Sequence, residues 1–173
     1  MVKAYLLDNQ DRSYSTDDLA KIGVLYFSLN PSSYENDGSL DKIMNERNYG
    51  HKSIVTINDT LPNFDQMLVK FFDEHIHLHE EIRFFLDGCG FFDVRNEKDE
   101  WVRIYLEAGD LIIVPAGLFH RFKLHDNMYA KVMRLFLKDT EPVWTAYTKS
   151  LPETSKMEAH LQYNEFIKKQ FSL

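Results

Sequence analysis

The sequence predicts a mainly β, single-domain fold in which one closed barrel of strands spans residues 74–147, with helices before and after it. Three observations carry that expectation. His75 and His77 stand at i and i+2, the spacing that puts two side chains on one face of an extended strand. Joining His120 to them, 45 positions beyond His75, takes sheet pairing that a closed barrel provides and a helix bundle does not. The stretch from Glu74 to Tyr147 is strand-rich, with turn signals at Asp87-Gly88, Asn96 to Asp99, Gly109-Asp110 and Pro115 to Gly117.

Residues 1–73 read as a mostly helical flank. Ser15 or Thr16 caps a first helix running to about Ile22, with Asp17 and Asp18 at its positive end. Leu40, Ile43, Met44 and Arg47 mark a second helix, and Pro62 followed by Phe64, Met67, Leu68 and Phe71 marks a third. All three are expected to pack outside the barrel. Residues 148–173 form a tail, polar after Pro152, in which Met157 to Phe171 reads as a C-terminal helix.

Within the barrel segment, two imidazoles on one strand face lie roughly 6–7 Å apart, close enough to share a metal if the rings converge. Glu81 has the same parity, yet on a straight strand it would lie roughly 20 Å from His75. Metal–ligand bonds are only about 2.0–2.2 Å long, so the chain must reverse between Leu78 and Glu80 for Glu81 to join the site. A hairpin is therefore predicted. On the returning strand Glu81, Arg83 and Phe85 face inward, while Ile82, Phe84 and Leu86 pack the other side before Asp87-Gly88 turns the chain. Downstream, Gly109-Asp110 is a turn, Leu111 to Val114 a short buried strand, Pro115-Ala116-Gly117 another turn, and His120 opens the next strand.

A lone histidine is more often a surface or hydrogen-bonded core residue than a ligand. Four residues at this spacing reverse those odds, making His75, His77, Glu81 and His120 the candidate metal ligands. Three neutral imidazoles and a carboxylate suit iron, nickel or manganese in a six-coordinate site with two open positions, better than four-coordinate zinc. Glu80 is the rival to Glu81, but Glu81 brings Arg83 inward with it. His79 is assigned to solvent or to the surroundings of the site, and His51, His125 and His160 to structural roles. Arg83 reads either as a salt-bridge partner on the barrel wall or as a substrate contact, since a buried guanidinium needs an anion. Arg134 carries the same two readings. Phe85, Phe92, Phe119, Phe122 and Trp144 are core or pocket wall, and Cys89 is a small buried hydrophobe.

Length and composition agree. A chain of 173 residues is one domain's length, and 44% hydrophobic and 14% aromatic content suits a packed globule rather than a disordered chain. With net charge −7 and no basic run, nucleic acid is not an expected partner, and an anionic substrate would need local positive charge. The single cysteine excludes an internal disulfide. The opening residues Met1 to Asp8 lack the apolar length of a secretory signal, and no segment approaches the roughly 18 apolar residues of a membrane span. A reducing intracellular compartment is the expectation.

The run His75-x-His77-x3-Glu81-x6-Gly88 and the run Gly109-x5-Pro115-x-Gly117-x2-His120 resemble the two cupin motifs. Val69 and Leu124 depart from the general pattern at peripheral positions. Within cupins, Glu74 to Leu78, Glu81-Ile82-Arg83, Gly90 to Arg95, Pro115-Ala116-Gly117, His120-Arg121-Phe122 and Glu141 to Tyr147 together resemble the acireductone dioxygenases of eukaryotic type. Gly23 to Tyr26, Tyr34 to Asp37 and Glu46 to Tyr49 extend the likeness over most of the chain.

The resemblance implies a cupin double-stranded β-helix, or jelly roll, holding one Fe2+ or Ni2+ ion. It implies a substrate, the acireductone 1,2-dihydroxy-3-keto-5-methylthiopentene of methionine salvage, that reacts with dioxygen. Family enzymes with iron give formate and 4-methylthio-2-oxobutanoate; with nickel they give formate, carbon monoxide and 3-methylthiopropanoate. Arg83 becomes the candidate catalytic residue, and Arg83, Phe85, Phe92, Phe122, Arg134 and Trp144 the candidate substrate pocket, with aromatic rings suited to a methylthio tail. A monomer in the cytoplasm, with the nucleus also permitted, is expected. The competing expectations are a non-catalytic cupin that serves as a protein-interaction module, and another cupin oxygenase built on the same three histidines and one glutamate.

Overall fold

A computed structural model describes residues 2–173; Met1, the first residue of the opening stretch expected to lack a secretory signal, lies outside the described residues. The first segment carries strands β1 (Lys3–Leu6) and β2 (Asn9–Ser13), helix α1 (Thr16–Lys21), β3 (Leu25–Ser28), α2 (Ser39–Glu46), β4 (Tyr49–Ile57) and α3 (Phe64–Phe72). Then follow β5 (His75–Ile76), β6 (Glu81–Arg95), β7 (Trp101–Glu107), β8 (Asp110–Val114), β9 (His120–Leu124), β10 (Ala130–Leu137), β11 (Tyr147–Thr148) and α4 (Glu158–Phe171). Among the described residues no helix is long and apolar enough to cross a membrane.

The fold is mainly β and antiparallel, and β6 is its spine. Residues 81–88 of β6 lie between β8 and β10, in a layer continued by β3 beyond β8 and by β4 beyond β10. Residues 89–95 lie between β7 and β9, in a second layer that runs through β1 to β2 on one side. On the other side β9 meets β5, and β5 meets β11. One strand thus belongs to both walls, and the space between them holds a core that includes Phe85, Phe92, Val94, Ile104, Ile112, Phe122 and Val132. A second core lies outside the first layer, where Ile82, Phe84, Leu111, Ile113 and Met133 pack against Leu40 and Ile43 of α2 and against Tyr34.

The expected turn at Asp87-Gly88 is instead a bend inside β6. Lys131 pairs with Asp87 but Val132 pairs with Phe85, so β6 carries one extra residue there, a β-bulge. The bulge exchanges parity: odd residues Glu81, Arg83 and Phe85 face the interior before it, and even residues Gly90, Phe92 and Val94 after it. Gly88 has φ +73°, and a Cβ there would run into the Tyr129 carbonyl and ring. Replacing Gly88 by alanine is therefore expected to cost about 2–3 kcal/mol, read as a lowered urea midpoint; an unchanged midpoint would show the bend to be tolerant.

Residues 1–73 are not mostly helical. The three predicted helices form at their expected places, with Ser15 capping α1 through the Asp18 amide and Asp18 returning the bond, but four strands share the segment. β4 was hidden because its outward residues, among them Gly50, Lys52 and Thr56, are exposed and dilute the alternation of Ser53, Val55 and Ile57. The predicted hairpin also needs correcting. The chain does bend at Leu78-His79, but β5 pairs with β9 and β11 rather than with β6. The reversal is a step from one wall of the barrel to the other, with no ladder between its arms.

Candidate metal centre

Sheet pairing brings the distant histidines together: His75 of β5 and His120 of β9 are direct cross-strand partners. His77 follows β5 and Glu81 begins β6, so the bend at residues 78–79 sets both at one end of the barrel interior. Ligand atoms of His75, His77, Glu81 and His120 all lie within 4.8 Å of one another, and all four residues are buried.

Each imidazole is oriented by its other nitrogen. Nδ1 of His75 donates to the Asp73 carbonyl (2.6 Å), Nδ1 of His77 to that of Thr145 (2.6 Å) and Nδ1 of His120 to that of Leu118 (2.8 Å). A carbonyl only accepts, so Nδ1 carries the hydrogen in all three and the Nε2 lone pairs are left to face the centre. Nε2 of His120 and of His77 lie 2.7 and 2.8 Å from the same Glu81 oxygen, Oε2. His77 Nε2 is buried without an aligned hydrogen-bond partner. Lone pairs and a carboxylate oxygen converging this closely repel unless a cation lies among them. The donor set therefore fits a divalent metal ion.

Electrostatics keep Glu81 and His75 in their binding form. Burial by itself would raise the Glu81 carboxyl, but Arg83, His77 and His120 outweigh it and hold the group well below the ordinary carboxylate range. Arg83 Nη2 lies 2.7 Å from Glu81 Oε1, the oxygen turned away from the imidazoles, and Nη1 donates to the Ile82 carbonyl. Burial, reinforced by the charge of His120 and opposed by Glu81, pushes His75 down to about 3. An unfolded chain takes up a proton at His75 near its ordinary 6.5, whereas the folded one does not until about pH 3. Stability of the metal-free protein is thus expected to fall as pH drops through that window, and Glu81, also depressed, adds the same sign below about 4.5. Urea midpoints at pH 7 and pH 5 test this; a higher midpoint at pH 5 would contradict it.

Glu80 does not compete for the ion. Its two oxygens are taken by Arg47 Nη2 and by the Tyr49 hydroxyl (2.5 Å), and Arg47 Nε donates to that hydroxyl (2.9 Å). Holding Glu80 outward fixes Glu81 inward, since adjacent strand residues face opposite sides. His79 is exposed. His51 and His160 bond the carbonyls of Lys138 and Gly117, and His125 packs on Phe91, as structural residues do. Cys89 is half-buried rather than buried.

Beside the centre is a chamber of about 220 Å3. Arg83, Phe85, Phe92, Phe122, Arg134 and Trp144 all line it, together with His75, Glu81 and His120. Trp144 packs its ring against those of His75, His77 and Phe71 at 5.7, 5.4 and 5.8 Å between centroids. Phe119 lies elsewhere, against His160. The sequence reading missed Val55 and Ile57 of β4 and Leu61, Met67 and Phe71 on or just before α3. The i, i+4 pair Met67 and Phe71 is legible as an apolar helix face; α3 has no fully buried residue, as a helix packed on the outside of the barrel should, and it turns that face to the chamber.

Residues 7–146 match the model of the ARD/ARD' family. The chain is 48% identical to "Acireductone dioxygenase" of Macaca mulatta, over 91% of this chain and 86% of that protein. It is 46% identical to "Acireductone dioxygenase" of Homo sapiens (90% and 85% covered) and 47% identical to "Acireductone dioxygenase 4" of Arabidopsis thaliana (84% and 77%). The structure is similar to that of "Acireductone dioxygenase from Bacillus anthracis with cadmium ion in active center", with TM-score 0.74 and 25% identity over 85% of this chain and 98% of that one.

Proposed function

As the chain belongs to the ARD/ARD' family, we propose that it cleaves acireductone with dioxygen in methionine salvage, and that the bound metal decides the products. With iron the products are formate and 4-methylthio-2-oxobutanoate; with nickel they are formate, carbon monoxide and 3-methylthiopropanoate. The observation that carries the proposal is the convergence of His75, His77, Glu81 and His120 beside an aromatic chamber with Arg83 at its polar end.

Those four residues would hold the ion, which when bound supplies Lewis-acid stabilisation of the substrate enediolate and a template for its two oxygens. The chain's own side chains do the rest. Arg83 and Arg134 line the chamber and present positive charge to the substrate anion in a protein whose net charge is −7. Phe85, Phe92, Phe122 and Trp144 form an apolar wall for the methylthio tail, where sulfur–aromatic contacts favour one orientation. Met67 and Phe71 close that wall from α3 and keep water from the reacting end.

The test is to load the purified protein separately with Fe2+ and Ni2+, add acireductone without air, admit air and identify the products. Carbon monoxide from the nickel form and none from the iron form is expected. Metal uptake with no turnover in either form would favour a non-catalytic cupin that serves as an interaction module.

A further inference from the structure

The four-donor centre lies at the junction of two cavities of unlike chemistry. The aromatic chamber touches His75 and His120 but not His77. A second crevice, also of about 220 Å3, touches His77 but neither of the other two histidines; Glu81, Arg83 and Trp144 line both. Its remaining wall mixes apolar Leu78, Phe136, Leu137 and Val143 with the donors His79, Glu80, Thr140 and Glu141, of which His79 and Glu141 are exposed. Among the described residues His77, 8% exposed, carries the one buried side-chain nitrogen without a hydrogen-bond partner, and it belongs to this crevice.

We propose that the crevice is the route by which the divalent cation enters and leaves the centre, with the His79 imidazole and the Glu141 carboxylate as transient ligands at its outer end. The proposal rests on the centre being a metal site. A hydrated divalent ion shedding water against the phenyl rings of the chamber would gain nothing in return. Along the crevice, nitrogen and oxygen donors replace the waters as they are lost. Glu80 is not free to take part, because Arg47 and Tyr49 hold both its oxygens. An ion arriving this way meets His77 Nε2 and Glu81 Oε2 first, already 2.8 Å apart. His75 and His120, which line the chamber, would complete the set.

The test uses the full chain and cobalt chloride. Uptake by metal-stripped protein is followed by the visible absorption of bound Co2+, and release is followed from the loaded protein in excess chelator. In a His79→Ala, Glu141→Gln double variant both rates should fall about tenfold while their ratio, and so the affinity, stays that of the parent. A pathway is crossed in both directions, so entry and exit must slow together. Turnover of the fully loaded variant should equal the parent's. Unchanged rates, or faster release with unchanged uptake, would overturn the route. Slower exchange in a chamber-filling Val55→Trp variant, with none in the double variant, would place the path in the chamber instead. A parent that takes up no cobalt would defeat the centre itself, whereas failure in the variant alone defeats only the route.

Discussion

Replacing His120 by alanine is expected to strip the protein of its metal. The residue supplies a donor 2.7 Å from Glu81 Oε2, is 1% exposed, and is the cross-strand partner of His75, so its loss leaves the centre with three protein donors. Loss of an outer partner of a ligand already costs about 10–100-fold in metal affinity, and loss of the ligand itself should exceed about a hundredfold. His75→Ala should behave likewise. Elemental analysis after dialysis should find the metal gone in both, with the β signature of the circular dichroism spectrum kept. His79→Ala serves as the control and should keep its metal at equilibrium. Full retention in His120→Ala and His75→Ala would remove the proposed coordination shell.

Arg83→Ala should separate metal binding from turnover. The guanidinium is buried against Glu81 Oε1 and lines the chamber, so its removal takes away the positive charge that meets the substrate anion while leaving four donors in place. Loaded in excess metal, the variant is expected to reach the parent's metal content, although losing an outer partner of Glu81 lowers affinity by about 10–100-fold, and kcat/KM to fall by about 10²–10³-fold, the scale of losing one charged donor to a developing anion. Lysine should restore only part of this, because an ammonium lacks the two-pronged guanidinium geometry. A second consequence separates the pairing role from the substrate role. Without Arg83 the Glu81 charge is balanced only by the cation, so chelation should destabilise Arg83→Ala more than the parent, by about 3–5 kcal/mol. Parental turnover in Arg83→Ala would leave that residue a wall-side ion pair and nothing more.

The ligand set was legible because strand geometry constrains it from both sides. Two imidazoles at i and i+2 predict a strand, Glu81 at the same parity requires a reversal, and the inward set Glu81, Arg83 and Phe85 follows from alternation; the structure has the reversal and the inward set, whereas the strand is only His75–Ile76 and His77 stands just past its end. The flank was less legible. α1, α2 and α3 announce themselves by local capping and apolar spacing, but β1 to β4 are short or half-exposed, and β1, β3 and β4 are held by partners remote in the chain, with β2 hanging on β1.

From its order of residues alone, this chain determined which side chains are chemically able to hold a cation and on which face of a strand each would stand, because side-chain alternation over two to four residues is a local property of the backbone. Tertiary structure alone decided three further matters. The bulge at Leu86 to Gly88 exchanges parity and turns Phe92 inward, although continued alternation would send it out. Arg47 and Tyr49 hold Glu80 away from the ion, an outcome that depends on residues more than 30 positions distant. The apolar face of α3, through Met67 and Phe71, becomes part of the chamber wall. Each of these is set by pairing or packing between segments far apart in the chain, and no spacing rule within one segment encodes them.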